Sequence, residues 1–482
     1  MRHNCHIPAL KQFLLTLWLL AATVFLAAAA SPPTDGKPAL PDDLRFDFKP
    51  VPAEQNAIIN WRRAAELEVM PDEHEKLLLT FAWTPGFREP SQADLDDLQH
   101  WIKRNQDALS EFSASLGKPQ AQWPERNPQN KQPEITSYLY LSWARLFTAD
   151  QLAGQKKYEA AANILEENLK LARLGTEGDP TLFHYLVACR VRSHTQDAIL
   201  RLAARKDVPL PLLTRLLDDL PVLKSETNVY SKILRVEFTR DYNAALDIKE
   251  LAAVWAKISQ TNAAWLIFPE ECRRMVRVLL DPTLVSFHPK PYDFNSDLEE
   301  TIRHYRIYRA NVCSPWSDHS DEVDLESEES RTNLMQEAAP LMTLVKNEPL
   351  PLSRQAAQKA RAAYLAIKNP VGRGMDCSIM EFMDSDTKVF QARTERESTR
   401  AVLALLVFQR EKGLLPGKLS DLVDAKILAT VPCDPFSDKP LQYSRERQLL
   451  WSVSYDGESN DGKAGKFRWS GADAVWEIPK LN

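Results

Sequence analysis

The sequence has little cysteine and lacks the cysteine spacing that metal sites and disulfide frameworks require. Six cysteines occur in 482 residues, and Cys5 lies within the first thirty. The other five are far apart, with no CxxC pair: Cys189, Cys272, Cys313, Cys377 and Cys433. This argues against a zinc ribbon or a dense disulfide framework. We expect buried apolar cysteines, with one or two disulfides as the alternative in an oxidising compartment.

Glycine is scarce as well, with 14 residues against 32 prolines, which favours helices joined by proline-marked turns. The chain contains no GxGxxG or Walker loop, no GxSxG elbow and no HExxH motif. His184 and His194 lie ten residues apart on one predicted helix, which is not a chelating spacing. A catalytic set assembled from residues distant in the sequence stays open as an alternative.

Acidic residues outnumber basic residues over most of the chain. The formal net charge is −6, and the first thirty residues hold two bases and no acid, which leaves −8 for the rest. Proteins that bind nucleic acid usually show a basic footprint, so we expect no nucleic-acid partner.

The first thirty residues are typical of a targeting segment. Arg2 and Lys11 belong to a basic start, and residues 13–30 are apolar apart from two threonines. The run ends in three alanines before Ser31, a pattern that predicts cleavage as a signal peptide. The alternative is an uncleaved anchor, because 18 apolar residues can just span a bilayer. In both cases we expect export to the periplasm or cell envelope, with membrane contact only through this segment if it is uncleaved.

Composition and hydrophobic spacing divide the remainder. Residues 31–50 are polar and rich in proline, and we predict a linker. Residues 51–390 place apolar side chains at helical spacing without strand-like alternation, so we predict a large multi-helical domain. Within it, residues 314–330 carry seven acids and no base, which predicts a solvated connector or surface loop.

A helical hairpin is predicted at residues 138–175. Its second half resembles the end of a tetratricopeptide repeat. The matching positions are Gly154, Tyr158, Ala160, Ala161 and Leu165. That family stacks helix pairs into curved surfaces that bind proteins, so the resemblance implies a protein partner for the helical domain. The chain shows one such unit without a clean second copy, and an ordinary helical hairpin is the alternative.

The last part of the chain has a different character. Residues 394–412 open with a capping box of Thr394 and Glu397 and predict a helix that ends at Gly413. A short helix is predicted next, and then strands at residues 440–443, 449–454 and 474–478. We therefore predict a mainly α protein, in which a small α+β module with a short antiparallel sheet, residues 394–482, follows the helical domain.

Several short motifs follow the predicted helix in a fixed order. They are a Gly-x-x-Pro turn, Asp434-Pro435-Phe436, Pro440-Leu441-Gln442-Tyr443, the WSVSYDG of residues 451–457 and the SGADAVW of residues 470–476. In this order they resemble the C-terminal part of the major pseudopilin of type II secretion systems. Pseudopilins begin with a processed hydrophobic helix that polymerises. Here the similar region follows about 390 residues of other sequence, so we expect no filament subunit.

The resemblance also implies a calcium site in the loop before the last strand. The family holds one calcium ion with two aspartates that correspond to Asp456 and Asp473. Asn460 and Asp461 are additional candidate oxygens that the resemblance does not carry over. Ca²⁺ takes six to eight oxygens, and loop carbonyls would complete the set. The alternative is a plain turn, since Asp456-Gly457 is a typical turn pair.

These expectations combine into one functional hypothesis. It is an exported, non-enzymatic helical scaffold or binding protein with a pseudopilin-like, calcium-binding C-terminal module. The alternative is an exported hydrolase whose catalytic residues are dispersed over the helical domain. A histidine, a carboxylate and a nucleophile within hydrogen-bond reach in a polar pocket would favour the hydrolase.

Overall fold

A computed structural model describes residues 41–81, 91–123, 133–220, 226–245, 270–287, 294–320, 322–373, 385–465, 468–469 and 473–480. The fold is mainly α with a small α+β module at the C-terminus, as predicted. The targeting segment and the first ten residues of the predicted linker lie outside the described residues. No helix among those described combines the length and apolar character needed to cross a membrane.

Eight helices described between residues 57 and 218 form the larger helical body. They are α1 Ala57–Leu67, α2 Glu73–Phe81, α3 Gln92–Arg104, α4 Gln106–Ala114, α5 Pro133–Gly154, α6 Tyr158–Glu177, α7 Leu182–Ala203 and α8 Leu210–Asp218. Side chains fix where some of them begin. Ser91 and Asp94 form a capping box at α3, and Thr181 caps α7. Helices α5 and α6 form the hairpin predicted at residues 138–175.

Aromatic side chains fill the centre of this body. Trp61, Phe112 and Tyr138 are fully buried, and their ring centroids lie 4.6 to 6.1 Å apart. The chain also approaches itself closely just after α6. A Cβ atom on Gly178 would lie 1.5 Å from the carbonyl oxygen of Ala121, so this position has no room for a side chain. Tight packing of this kind makes the body a rigid support.

Six further helices follow among the described residues. They are α9 Glu226–Ala245, α10 Glu270–Leu279, α11 Pro282–Val285, α12 Phe294–Cys313, α13 Glu322–Leu344 and α14 Arg354–Leu365. Helices α10, α13 and α14 surround a hydrophobic core of their own, which includes Leu279, Leu341 and Tyr364. The Tyr364 hydroxyl donates to the Leu279 carbonyl oxygen at 3.0 Å. The single helical domain predicted for residues 51–390 therefore contains more than one core.

The described end of the predicted linker, residues 41–50, is attached to α9 and α12. Leu44 is fully buried in a cluster with Phe238 of α9 and Leu298 of α12. Asp43 accepts two hydrogen bonds from the Arg306 guanidinium at 3.0 and 3.1 Å, and this partner lowers the pKa of Asp43. Because one buried apolar side chain and the ion pairs of Asp43 with Arg306 and Arg309 anchor it, this part of the segment is not a free linker.

The prediction of a solvated connector at residues 314–330 is wrong for most of its length. Residues 316–318 form a 3₁₀ turn, and α13 already begins at Glu322. Acidic residues are favourable in the first turns of a helix. Leu334, Ala338 and Leu341 then supply an apolar stripe at helical spacing, so the acids extend a helix that packing stabilises.

The C-terminal module begins within a long helix, not at a domain boundary. Helix α15 spans Ser385–Lys412, so the predicted start at Thr394 is wrong. Thr394 and Glu397 have the spacing of a capping box, but the Thr394 hydroxyl donates to the Phe390 carbonyl oxygen at 2.9 Å inside the helix. Buried Val389 and Phe390 extend the packed face before it.

Five short strands follow the short helix α16, Asp421–Asp424. They are β1 Cys433–Asp434, β2 Lys439–Pro440, β3 Gln442–Ser444, β4 Leu449–Ser452 and β5 Ala474–Glu477. Strands β1 and β2 form one antiparallel pair, and β3, β4 and β5 form a sheet in that order. Strands β4 and β5 lie close to their predicted positions, the predicted strand 440–443 is divided into β2 and β3, and β1 was not predicted.

The cysteines differ from the expectation. Cys313 and Cys433 are exposed free thiols, and Cys189 is half-buried. Cys377 lies outside the described residues. The expectation of buried apolar cysteines is therefore wrong for Cys313 and Cys433.

Candidate functional site at the C-terminal junction

Helix α15 joins the module to the helical body through a shared core. Residues 401–407 are seven consecutive positions with exposures of 0 to 2%. A helix with one solvated face cannot bury seven residues in succession, so α15 is covered all round here. Helices α7 and α8 contact it from the body, and α16, β1 and β4 contact it from the module. Arg410 of α15 also donates to the carbonyl oxygens of Lys206 and, at 2.8 Å, of Arg205.

Asp434 ties the first strand pair to the main sheet. Its carboxylate accepts from the Ser452 hydroxyl at 2.8 Å and from the backbone N–H groups of Val453 and Phe436 at 2.9 and 3.1 Å. Burial raises the pKa of Asp434, and these donors oppose the rise. The Asp-Pro-Phe motif therefore has a structural role as the link between β1 and the end of β4.

Asp473 organises the loop between β4 and β5. The residue is fully buried. Its carboxylate accepts backbone hydrogen bonds from Gly462 at 2.8 Å, Asn460 at 3.0 Å and Lys463 at 3.3 Å. Gly462 adopts φ +66°, and a Cβ atom there would lie 3.2 Å from the Trp451 ring, so glycine suits this position. The Asp473 carboxylate thus accepts hydrogen bonds from loop N–H groups that no helix or strand satisfies.

The other three predicted calcium ligands have different surroundings. Asp456 is exposed and accepts from the Glu458 amide at 3.0 Å, as in an Asx turn. The side chain of Asp461 is 91% exposed and forms an ion pair with Arg447 at 3.1 Å. Asn460 bonds to Asp473 through its backbone and donates from its side chain to the Glu458 carbonyl oxygen at 3.2 Å. The structure thus brings Asp456 and Asp473 to either side of Asn460.

The oxygen atoms of these four residues do not converge on one point in the arrangement observed. Both oxygens of Asp473 face N–H donors, and Asp461 is directed to an arginine. Among the described residues, no group of three or more His, Cys, Asp or Glu side chains is placed to hold a metal ion. Calcium would therefore have to displace donors from Asp473 or bind through Asp456 and loop carbonyls. Calcium binding stays a prediction.

A buried ionic network lies where the loop meets the helical body. Arg468 donates to Asp197 of α7 at 2.9 Å, and their side chains are 18% and 12% exposed. The adjacent Trp469 donates from its indole N–H to Glu395 of α15 at 2.9 Å. The Arg468 guanidinium also lies 4.9 Å from the ring centroid of Trp476 in β5. Two consecutive side chains therefore connect a helix of the body, α15 and the sheet.

His194 lies beside this network as a neutral, buried ring. It stacks on Trp143 with the centroids 5.6 Å apart. Burial lowers the pKa of His194 well below its ordinary value, and the positive charges of Arg190, Arg201 and Arg468 lower it further. Burial also lowers the pKa of Arg190, to about 10. A histidine surrounded by cations in the interior contributes packing and carries no charge near neutral pH.

One local pattern in the sequence indicates this network. Arg190, His194, Asp197 and Arg201 recur at helical spacing, which places polar groups on one face of a helix whose other residues are mostly buried. Their partner Arg468 is 271 residues from Asp197, and no local pattern indicates such a pair.

Trp316, in the segment predicted to be a connector, also contacts both α15 and the module. Its ring lies 5.0 Å from Phe390 of α15 and 4.9 Å from Phe436 of the module. Its indole N–H donates to the carbonyl oxygen of Tyr455, at the start of the 454–463 loop, at 3.0 Å. The helical part and the module therefore share hydrogen bonds as well as apolar contacts.

In the described part of the helical body, one hydroxyl–histidine pair has the short distance of a catalytic dyad. The Thr181 hydroxyl lies 2.6 Å from His184 Nδ1, and both residues are fully buried. They form the cap at the start of α7, and the His184 ring stacks on Trp123. This pair has no exposed face for a substrate, so its geometry explains a helix start.

Glu68, just after α1, gives the helical body a pH dependence. Burial raises the pKa of Glu68 from an ordinary 4.5 to about 7, and the Ser137 hydroxyl opposes the rise. Between these values the folded state holds a proton that the unfolded state releases. We expect the free energy of unfolding to fall as pH rises through this window, by up to about 3 kcal/mol.

The substitution Glu68→Gln should remove this fall and make the variant more stable than the parent at about pH 8. Urea unfolding at a series of pH values measures it. The exposed neighbour serves as control, and Glu66→Gln should follow the parent. Equal pH profiles for Glu68→Gln and the parent would contradict the assignment.

In comparisons with models of protein families, with curated proteins and with solved structures, nothing matches this chain.

Proposed function

We propose that the protein is an exported, non-enzymatic helical scaffold that binds a protein partner and carries a pseudopilin-like module as a fixed end. The observation that carries the proposal is the shared core along α15, where residues 401–407 are buried between the body and the sheet. A module held in this way cannot move or polymerise as a separate subunit, so it presents a surface in a fixed orientation to the helices.

The helical hairpin α5–α6 supports the binding part of the proposal. Its second helix α6 exposes Glu159, Asn163 and Lys170 along one side, while Ala161 and Leu165 are buried. Helix pairs of the tetratricopeptide type use such exposed sides for protein recognition. A rigid polar face backed by a packed core costs little conformational entropy on binding.

Photo-crosslinking in the native cell envelope tests the scaffold. A photoreactive amino acid replaces Asn163 or Lys170 on α6, and Lys359 on α14 serves as an exposed control position. We expect both α6 positions to yield an adduct with the same protein and the control position to yield none. The absence of adducts at both α6 positions would overturn the proposal, and turnover of an ester, amide or phosphoester substrate by the purified chain would favour the hydrolase instead.

We also propose that the 454–463 loop binds one calcium ion. The order of motifs that resembles the pseudopilins and the closeness of Asp456 and Asp473 to Asn460 support this proposal. A ligand that binds only the folded state adds RT ln(1 + [L]/Kd) to the free energy of unfolding, which is about 2.7 kcal/mol at a hundredfold excess over Kd.

Melting of the full chain in calcium and in chelator tests this. We expect calcium to raise the melting temperature of the parent and of the control Asp424→Ala, an exposed aspartate of the same module. Asp456→Ala should lose the response. If the parent melts alike in millimolar calcium and in chelator, the loop is a plain turn.

A further inference from the structure

Exposed apolar side chains concentrate in one short stretch of the chain. Nine large hydrophobic residues of the described chain are exposed, and four of them lie within residues 67–77. They are Leu67 at 51%, Val69 at 44%, Met70 at 50% and Leu77 at 40%. We call this surface the 67–77 patch. Single exposed apolar residues are ordinary, but a contiguous group marks an interaction site.

The backbone of the patch is held in place. Asn105 accepts from the Val69 amide at 2.8 Å and donates to the Val69 carbonyl oxygen at 3.1 Å. The Trp101 indole donates to the same carbonyl oxygen at 2.9 Å. Asn105 and Trp101 are both buried, so the segment is fixed to α3. The apolar side chains are exposed on a rigid support. A local rearrangement of the backbone therefore cannot bury them.

Acidic side chains surround the patch. Glu66, Asp72 and Glu73 are exposed within the stretch itself, and Asp96 and Asp97 are exposed on α3. His74 lies 3.8 Å from Asp97, which places the first turns of α2 and α3 side by side. The one lysine of the stretch, Lys76, is paired with Glu73 at 2.7 Å. Arg104 pairs with the buried Glu75 at 2.6 Å, and acids outnumber bases within residues 66–77, so the apolar residues have an acidic rim.

We propose that the 67–77 patch binds a basic amphipathic segment of a partner protein. This inference rests on the proposed scaffold function and adds a second contact surface, separate from the exposed side of α6. An apolar side of the partner would cover Leu67, Met70 and Leu77, and its lysines or arginines would meet the acidic rim. The same rim repels anionic lipid headgroups, which favours a protein over a membrane surface.

Binding of a defined peptide by the full chain tests the proposal. The probe is a helical 18-residue peptide of leucine and lysine with one apolar side, and a peptide with glutamate in place of lysine is its control. Fluorescence anisotropy should show binding of the basic peptide alone, weakening as salt rises. The double variant Leu67→Ser/Met70→Ser should bind about tenfold more weakly or worse.

Two matched variants separate the patch from general acidity. Leu344→Ser/Leu365→Ser removes two other exposed leucines, 53% and 36% exposed, in the part of the chain that follows the acidic residues 318–329. It should bind as the parent does. Glu66→Gln/Asp97→Asn keeps the apolar residues and should reduce the dependence of affinity on salt.

Several results would overturn the proposal. They are equal binding by the parent and Leu67→Ser/Met70→Ser, self-association of the chain that this variant abolishes, and cosedimentation with anionic vesicles through the same residues. Adducts at α6 do not depend on the patch, so a failure here leaves the scaffold proposal standing. Loss of the α6 adducts with retained peptide binding would overturn the scaffold proposal and leave the binding of a basic peptide by the patch standing.

Discussion

Replacement of Arg468 by methionine should lower the free energy of unfolding of the whole chain by about 3 to 5 kcal/mol. The substitution leaves the Asp197 carboxylate, 12% exposed, without the cation that lies 2.9 Å away. It also removes a cation from the face of Trp476. Burial alone would lower the pKa of Arg468, but Asp197 and Glu395 raise it above its ordinary value, which shows how strongly this site favours a positive charge.

Urea unfolding followed by tryptophan fluorescence and by far-ultraviolet circular dichroism measures the effect. Because the network joins both parts, we expect the two signals to shift together. The double variant Arg468→Met/Asp197→Leu should recover part of the loss, since neither charge is then left unpaired. The solvent-exposed pair of Lys156 and Asp207 is the control, and Lys156→Met should change stability little. A loss at Arg468 no larger than at Lys156 would refute the role of the network.

Replacement of Asp473 by alanine should cost about 3 kcal/mol and disorder the 454–463 loop. The variant leaves the N–H groups of Asn460, Gly462 and Lys463 without their acceptor, and Gly462 is buried. This loss should occur in chelator as well as in calcium, because the hydrogen bonds involve no cation.

Thermal melting and hydrogen exchange of the loop amides measure the loss at Asp473. The matched control is Asp456→Ala, an exposed aspartate of the same loop, which should cost less than about 0.5 kcal/mol in chelator. Equal melting of Asp473→Ala and Asp456→Ala in chelator would mean that Asp473 does not organise the loop.

Local patterns predicted the elements whose cause is local. The hairpin of α5 and α6 and the strands near 440–443, 449–454 and 474–478 follow from hydrophobic spacing and alternation. The start of α15 was missed because Thr394 and Glu397 have the spacing of a capping box in the middle of a helix. Local sequence cannot distinguish a cap from an interior threonine that bonds back to the preceding turn.

The candidate site was predicted only in part. Asp473 was identified as important, but the same residue type serves as a metal ligand and as an acceptor of backbone N–H groups. The connection of Arg468 to Asp197 and of Trp316 to Tyr455 spans 271 and 139 residues. Such pairs arise from the packing of the whole chain, which no window of the sequence contains.

The central claim is that the module and the helical body form one cooperative unit joined by α15. Native-state hydrogen exchange of the full chain at rising denaturant tests it most directly, because it reports opening free energies segment by segment. We predict that amides of β4, Leu449–Ser452, and of α7, Leu182–Ala203, exchange with the same opening free energy and the same denaturant slope. Exchange of β4 at a markedly lower free energy, with α7 still protected, would show a separate domain and contradict the claim.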